Sequence, residues 1–347
     1  MKNSVKIHFL TKDLFYNLFF SISSIFLFIS CEYKSIIELN GLTMGTTYNI
    51  KIAKEFKVEN IQNFQNKIDS VLIYVNELFS TYIPNSEISK FNTSDSIFYI
   101  SDDFKQLFLL SKNINKNTKG AFDPTVYPLV QIWGFGNNGS INKLPEEKSI
   151  HNILSEIGFS KIKIKGNSLY KLNKKIKLDF SAVAKGYGVD AVSKYLLSIN
   201  IQNFKVEIGG EVYCNGKKFN RQWKIGLQNP FYGSDTNKIL KIISLNNMAL
   251  ATSGNYHNYF EINGIRYSHT IDPSTGFPVT HDIVSVSVVA KNCATADAYA
   301  TALMVLDIDK GIELINSFEE LEAVIIYGNK TNYKIMKSNG IDKIMTD

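Results

Sequence analysis

The stretch FKVEIGGEVYCNGKKFNRQWKIGLQ, residues 204–228, sets two short β-type runs, 204–208 and 223–228, around Gly209-Gly210-Glu211 and the dipeptide Asn215-Gly216. Asn-Gly is a hairpin signal, because the favoured two-residue turns need positive φ at both central positions. The signal recurs at Asn263-Gly264. Such turns join antiparallel neighbours. The expected class is therefore α+β, with mixed, largely antiparallel sheets and packed helices, and not a parallel doubly wound sheet.

Outward from this stretch, further strands are expected at 161–165, 176–180, 239–243, 247–252, 258–267 and 284–290, with helices at about 184–198 and 294–305. Upstream, residues 41–53 alternate Thr, Tyr and Ile as a strand does. Ile61, Phe64, Ile68, Val71, Val75 and Leu78 recur at three and four residues and so share one helix face. Ser101 is an expected N-cap for a helix carrying Leu107, Leu110 and Ile114, with Gly120 at its end, and 146–157 reads as another helix.

The N-terminus speaks to compartment. Lys2, Lys6 and Lys12 precede an almost uncharged apolar run from Leu14 to Ile29, closed by Ser30-Cys31. This is the layout of a lipoprotein signal, with Cys31 as the lipidated first residue of the mature chain; an uncleaved anchor helix is the alternative. Either way the domain is expected to face the outside of the inner membrane; on the lipoprotein reading it is lipid-anchored at the cell envelope and faces the periplasm. The expected organisation is a signal at 1–30, a tether at 31–40 and one domain at 41–347. Removing 1–30 takes three Lys and one Asp from a chain of net charge +6, too mild an excess to argue for nucleic acid. Cys214 and Cys293 are expected to be two unrelated buried thiols.

Five segments combine Gly, small residues and polar functions where a core would prefer bulk: Thr43–Thr47, Gly120–Thr125, Leu178–Gly186, Tyr267–Gly276 and Ala294–Thr301. Asp297 and Thr301, four apart, would project from one helix face and offer two hard oxygens to a cation such as Mg²⁺; alone, they equally suit an ordinary helix with Asp in its first turn. Asp179 ends an apolar run, and the Ser-Ala-Val-Ala-Lys-Gly that follows opens a helix where backbone N–H groups and Lys185 could hold an anion; a capped strand-to-helix turn explains it as well. Asp272-Pro273-Ser274-Thr275-Gly276 is a turn signal, and His269 beside it could take a proton near neutral pH or be purely structural. Trp133-Gly134-Phe135-Gly136 could form an aromatic wall or core. No His/Cys spacing suggests zinc.

Taken together and in this order, Met-Gly-Thr, Ala-Phe-Asp-Pro-Thr, the Asp-to-Lys-Gly run, Gly-Gly-Glu, Thr-Ser-Gly-Asn-Tyr, Ser-His-x-Ile-Asp-Pro-x-Thr-Gly and Ala-Asp-Ala-x-Ala-Thr resemble the FAD:protein FMN transferase (ApbE) family, in a lipoprotein member. The resemblance spans residues 43–301. It implies a fold related to the tunnelling fold, with Mg²⁺ as cofactor and FAD as substrate. It implies side-chain ligation of the metal by Asp297 and Thr301, with the carbonyls of Ala182 and Ala300 as further ligands. Met44, Tyr82, Ala121, Phe122, Asp123, Asp179, Lys185 and Ile271 match FAD-contacting positions, and His269 matches the family's histidine, a candidate base. Ser274 stands where Arg is frequent, and Asn255 where Asp is frequent.

The implied reaction transfers the FMN moiety of FAD to a Thr or Ser hydroxyl of a partner protein and releases AMP. The family's partners include subunits of sodium-pumping NADH:quinone oxidoreductases and Rnf complexes. A divalent cation on the pyrophosphate would lower repulsion of the nucleophile and stabilise the leaving group. A rival reading is an FAD pyrophosphatase using water at the same site. Another is a non-catalytic FAD-binding lipoprotein, which would need neither the Asp297–Thr301 pair nor His269.

Overall fold

The computed structural model describes residues 35–54, 61–137, 139, 141, 143–231, 239–255 and 259–346. The expected signal segment and Cys31 lie outside the described residues. Within them no helix is long and apolar enough to cross a membrane.

The frame is an eight-stranded sheet of β1 (Ser35–Thr43), β2 (Thr46–Lys54), β3 (Phe204–Ile208), β4 (Glu211–Asn215), β5 (Met248–Gly254), β6 (Ile283–Ala290), β7 (Glu322–Asn329) and β8 (Asn332–Lys337). The strands lie side by side in chain order, each antiparallel to the next. Apart from a short C-terminal segment after β8, the other described elements are inserted between neighbours. Helices α1 (Ile61–Phe79), α2 (Glu87–Thr93), α3 (Asp102–Asn117), α4 (Tyr127–Ile132), α5 (Glu147–Leu154) and α6 (Ser181–Ser198) fall between β2 and β3, and α7 (Cys293–Leu303) and α8 (Ile308–Asn316) between β6 and β7.

Alternation along the central strands shows why both faces are buried. Ala249 and Ala251 enter one core while Leu250 enters another; Val288 and Val289 divide likewise, as do Ile325 and Val324. The first core lies under the helices. The second lies under a small sheet made of Trp223–Gln228, Ile239–Leu245 and Met345–Thr346. A strand buried on two sides reads largely apolar on both faces, as in Ile-Val-Ser-Val-Ser-Val-Val-Ala of β6, where small buried Ser285 and Ser287 are the polar exceptions. Helix α7 is likewise buried nearly all round, which explains its run of alanines.

The structure corrects several expectations. Residues 35–40, read as tether, are paired in β1, and 41–53 is no single strand but the end of β1, a turn and β2. The turn is Met44-Gly45, with φ of 49° and 71°, and Met is not a residue that announces a turn. Residues 176–180 form no strand. Their backbone is served by a side chain: Asn92 Nδ2 donates to the Leu178 carbonyl at 2.8 Å, and the Leu178 N–H donates to Asn92 Oδ1 at 2.7 Å. Residues 258–267 divide into the hairpin Tyr259–Ile262 and Ile265–Ser268 around Asn263-Gly264, as that dipeptide signals. Between β3 and β4 the turn is Gly209-Gly210; Asn215-Gly216 instead leads into a second tight turn bridged by Lys218 and Arg221.

Candidate functional site

The site is organised by the contact between α6 and α7. A Cβ on Gly186 would lie 2.4 Å from the Cys293 carbonyl oxygen and 2.8 Å from Ala294 Cα, so the two backbones meet there directly. The Gly186 N–H donates to Asp297 Oδ2 at 3.0 Å. In a regular helix that amide serves the carbonyl of residue 182, so Asp297 engages the amide paired with one expected ligand carbonyl. One turn later Asp190 accepts from the N–H groups of Cys293 at 2.7 Å and Ala294 at 2.9 Å, satisfying the open first turn of α7. Burial pushes the Asp190 carboxyl up to about 6. Gly186 and Asp190, four apart, share a face toward α7, a spacing the sequence displays and the reading above did not use.

A buried charge cluster adjoins this contact. Lys185 Nζ lies 2.6 Å from Glu211 Oε1, Glu211 is 1% exposed, and its Oε2 is buried without a hydrogen-bond partner. Burial opposes the Lys185 charge, but Asp297 and Glu211 outweigh it and hold its pKa above the ordinary value. Burial raises Glu211 to about 8 against the pull of Lys185, with Asp297 adding to the rise. Asp297 is itself raised by burial, opposed by Lys185 and the Gly186 amide. Two buried carboxylates thus share one ammonium and resist ionising together, so a further cation placed here would favour their charged forms.

The donor set fits a hard one. Thr301 lies one turn beyond Asp297, and its Oγ1 is 3.4 Å from Ser253 Oγ. Among the described residues no group of three or more His, Cys, Asp or Glu could hold a metal, so a cation here would rest on one carboxylate, hydroxyls and carbonyls. That suits Mg²⁺, which keeps waters and takes substrate phosphates, and does not suit zinc. The Ala300 carbonyl lies in the last turn of α7, where it accepts from the Met304 N–H at 3.3 Å.

A cavity of about 1270 Å³ opens beside these groups. Asp179, Ala182, Lys185, Asp297 and Thr301 border it, as do Ala121, Phe122 and Asp123 from the loop after α3 and His269 and Ile271 from the loop after the 259–268 hairpin. The first loop is fixed by Asn115, which donates to the Phe122 carbonyl at 2.8 Å, and by Asp123 Oδ1, which accepts from Thr125 N at 2.8 Å and Thr125 Oγ1 at 2.7 Å. Asp179 Oδ1 accepts from Ser181 N at 2.8 Å while its own N–H donates to the Pro124 carbonyl at 2.8 Å, tying the loop to the start of α6. Burial raises both Asp123 and Asp179.

The His269 loop rests on an aromatic wall. Trp133 Nε1 donates to the Gly276 carbonyl at 2.7 Å, Trp133 stacks on Tyr267 at 5.8 Å, and Phe135 lies 6.4 Å from the His269 ring. Ser274 N and Oγ both donate to Asp272 Oδ1, closing the turn. Three expected residues do not border the cavity. Met44 packs toward Gly188, Tyr82 is 70% exposed, and Ala300 is wholly buried. Glu211 and Ser253 fall in the Gly-Gly-Glu and Thr-Ser-Gly-Asn-Tyr motifs, for which no site role was expected, and Asp190 was not singled out by sequence.

Comparison with known proteins agrees with this architecture. The ApbE family profile matches residues 44–325. A Vibrio cholerae protein named FAD:protein FMN transferase is 37% identical over 332 residues, covering 94% of this chain and 98% of its own. Its Escherichia coli K12 counterpart is 30% identical over 306 residues, covering 83% and 86%. Among solved structures, the flavin transferase ApbE from Vibrio cholerae superposes with a TM-score of 0.81 at 35% identity, covering 90% of this chain and 99% of that one. The apo flavinyl transferase ApbE of Pseudomonas stutzeri gives 0.82 at 30%, covering 91% and 98%. With the family profile spanning residues 44–325 and relatives of 30% identity or more covering most of its length, this chain belongs to the ApbE family.

Proposed function

We propose that this chain is a Mg²⁺-dependent FAD:protein FMN transferase, moving the FMN half of FAD to a Thr or Ser hydroxyl of a partner protein through a phosphoester bond and releasing AMP. The observation that carries this reading is the convergence of Asp297, Thr301, Lys185 and His269 on one cavity. Relatives named for the same reaction support it.

Mg²⁺ would be held by Asp297 and Thr301 with the Ala182 carbonyl, and by the Ala300 carbonyl only if the last turn of α7 opened to release it from the Met304 N–H; bound there it would supply charge neutralisation at the pyrophosphate. Lys185, kept charged by its two carboxylates, adds a fixed positive group for phosphate oxygens. Asp179 and Asp123 shape the wall through backbone contacts of their loops. His269 removes the acceptor hydroxyl's proton, since an uncharged hydroxyl is a weak nucleophile. The acceptor oxygen then bonds to the FMN-side phosphorus as the bond from that phosphorus to the bridging oxygen breaks, and AMP departs with that oxygen. The N-terminal layout supports lipidation at Cys31 and work at the periplasmic side of the envelope. There the partner is an envelope protein with a Thr or Ser acceptor motif, of the NADH:quinone oxidoreductase or Rnf type.

The test is co-expression with an acceptor domain, followed by mass spectrometry for covalent FMN and by AMP assay with and without EDTA. Transfer that needs the enzyme and Mg²⁺ is expected. AMP release with no covalent flavin on any acceptor would make the protein a pyrophosphatase instead.

A further inference from the structure

The charges lining the cavity are segregated. Its buried end holds Asp123, Asp179 and Asp297 with Lys185, whereas another arm carries Lys51, Lys205, Lys218, Arg221 and Lys224 against the single carboxylate of Glu207. Two features of this arm cost stability and persist. Lys51 and Lys205 are direct cross-strand partners on β2 and β3, an arrangement that like charges disfavour, tolerated through Glu38 and Glu207. Phe219, at the tip of the Lys218–Arg221 turn, has φ of 57°, uncommon for a bulky side chain, and packs against the second core. That anchored turn sets Lys218 and Arg221 side by side, the N–H of each donating to the carbonyl of the other at 2.8 and 3.2 Å. Among the described residues Lys218, Arg221 and Lys224 make no ion pair.

FAD does not account for this charge. Its negative charge is confined to the pyrophosphate, which must sit at Asp297 and Lys185 to react, while flavin, ribityl and adenine groups are neutral. Gly209, the first residue past β3, has its Cβ position 3.4 Å from Lys185 Cδ and is four residues from Lys205, about 13 Å at the rise of a strand. The cavity, at about 1270 Å³, also exceeds the roughly 300–1,000 Å³ usual for a small-molecule site. The other occupant that transfer requires is the acceptor chain. Resting on the transfer reading above, we infer that the arm bordered by Lys218, Arg221 and Lys224 is the docking surface for an acidic segment of the acceptor protein beside its Thr or Ser. Opposite charge in such a channel sets association and register more than the chemical step.

The test compares the mature enzyme with a Lys218→Glu/Arg221→Glu/Lys224→Glu variant, and with the milder Lys218→Gln/Arg221→Gln/Lys224→Gln variant in case reversal disturbs the turn. The acceptor is a recombinant domain that the wild type flavinylates, used as such and with its flanking Asp and Glu changed to Asn and Gln. The expected result is a KM for the acceptor raised tenfold or more, a KM for FAD and an acceptor-free AMP release within twofold of wild type, and a defect that shrinks for the neutralised acceptor. Raising NaCl from about 50 to 500 mM should weaken acceptor use by the wild type and hardly affect the variant. An equal rise in the KM for FAD would make the arm a steering field for the nucleotide and overturn the proposal. An unchanged KM for the acceptor in both variants would overturn it too. A wild type that releases AMP but flavinylates nothing is the separate failure of the transfer reading itself.

Discussion

Lys185 Nζ and Glu211 Oε1 meet at 2.6 Å across the contact between α6 and the Gly209-Gly210 turn, and the carboxylate is sealed from solvent while the ammonium borders the cavity. A lysine stem is flexible, and its head is fixed only by its partner. Glu211 therefore holds the aim and charge of Lys185, although it does not itself border the cavity.

Burial raises Glu211 to about 8, so above that pH Glu211→Gln keeps the shape and one acceptor but removes the charge. FAD binding by calorimetry should weaken about tenfold, in line with the roughly 1.5–3 kcal/mol of a hydrogen bond to a charged group. If the pair acts as a unit, adding Lys185→Met to that variant should cost much less than Lys185→Met alone. Strictly additive losses would show that Glu211 acts through something else.

The Gly186 contact predicts a packing effect with an internal control. Gly186→Ala puts a methyl 2.4 Å from a carbonyl oxygen in the α7 backbone, which cannot step aside. Gly188→Ala meets the mobile end of Met44 at 2.8 Å. Overpacking costs about 1–3 kcal/mol, so urea denaturation should place Gly186→Ala well below Gly188→Ala in stability. Equal midpoints would mean that α6 and α7 separate without cost.

Asp190 gives a pH prediction with a defined sign. Its carboxyl rises from an ordinary 3.8 to about 6 because it is buried, so between those values the folded chain holds a proton that the unfolded chain releases. Its stabilising contribution is complete below about pH 4 and is lost as pH rises through about 6, up to about 3 kcal/mol at 1.36 kcal/mol per unit. With EDTA present, the stability difference between Asp190→Asn and wild type should shift in favour of the variant from pH 4 to pH 7. A difference that is flat with pH would mean Asp190 is ionised throughout.

Much of this was legible because each signal was local. The helix faced by Ile68, Val75 and Leu78, the Ser101 cap that accepts from Phe104 N–H, and the turn at Asn263-Gly264 all declare themselves within a few residues. The metal and base candidates were legible as motifs, since Asp297 with Thr301 and His269 stand in unusual company. What was hidden depends on distant residues. Asn92 replaces a neighbouring strand for Leu178 from 86 positions away, and no pattern in 176–180 reports that. Glu211 follows two glycines and looks like the exit of a turn until the fold sets Lys185 against it. The run 35–40 lacks a turn residue to mark it off from β2, because the turn itself uses Met44.

The last prediction separates the cation site from the base. Asp297 lies one helical turn before Thr301, whose hydroxyl is 3.4 Å from that of Ser253, and its Oδ2 already accepts from Gly186. Asp297→Ala should abolish both acceptor-free AMP release and FMN transfer, because both reactions need the same phosphorus activated. His269 borders the cavity from a separate loop, braced by Trp133 and Phe135, so its loss leaves the α6–α7 contact intact. His269→Ala should retain FAD and Mg²⁺ binding yet suppress transfer, and the defect should lessen as pH rises and the acceptor hydroxyl needs less help. A paired time course of AMP release and protein-bound flavin fluorescence reads both effects in one sample. Transfer by His269→Ala at the wild-type rate across pH would make this histidine a structural member of its loop. Activity of Asp297→Ala at low Mg²⁺ would remove the cation from the α6–α7 contact, and the two buried carboxyls beside Lys185 would then need another explanation.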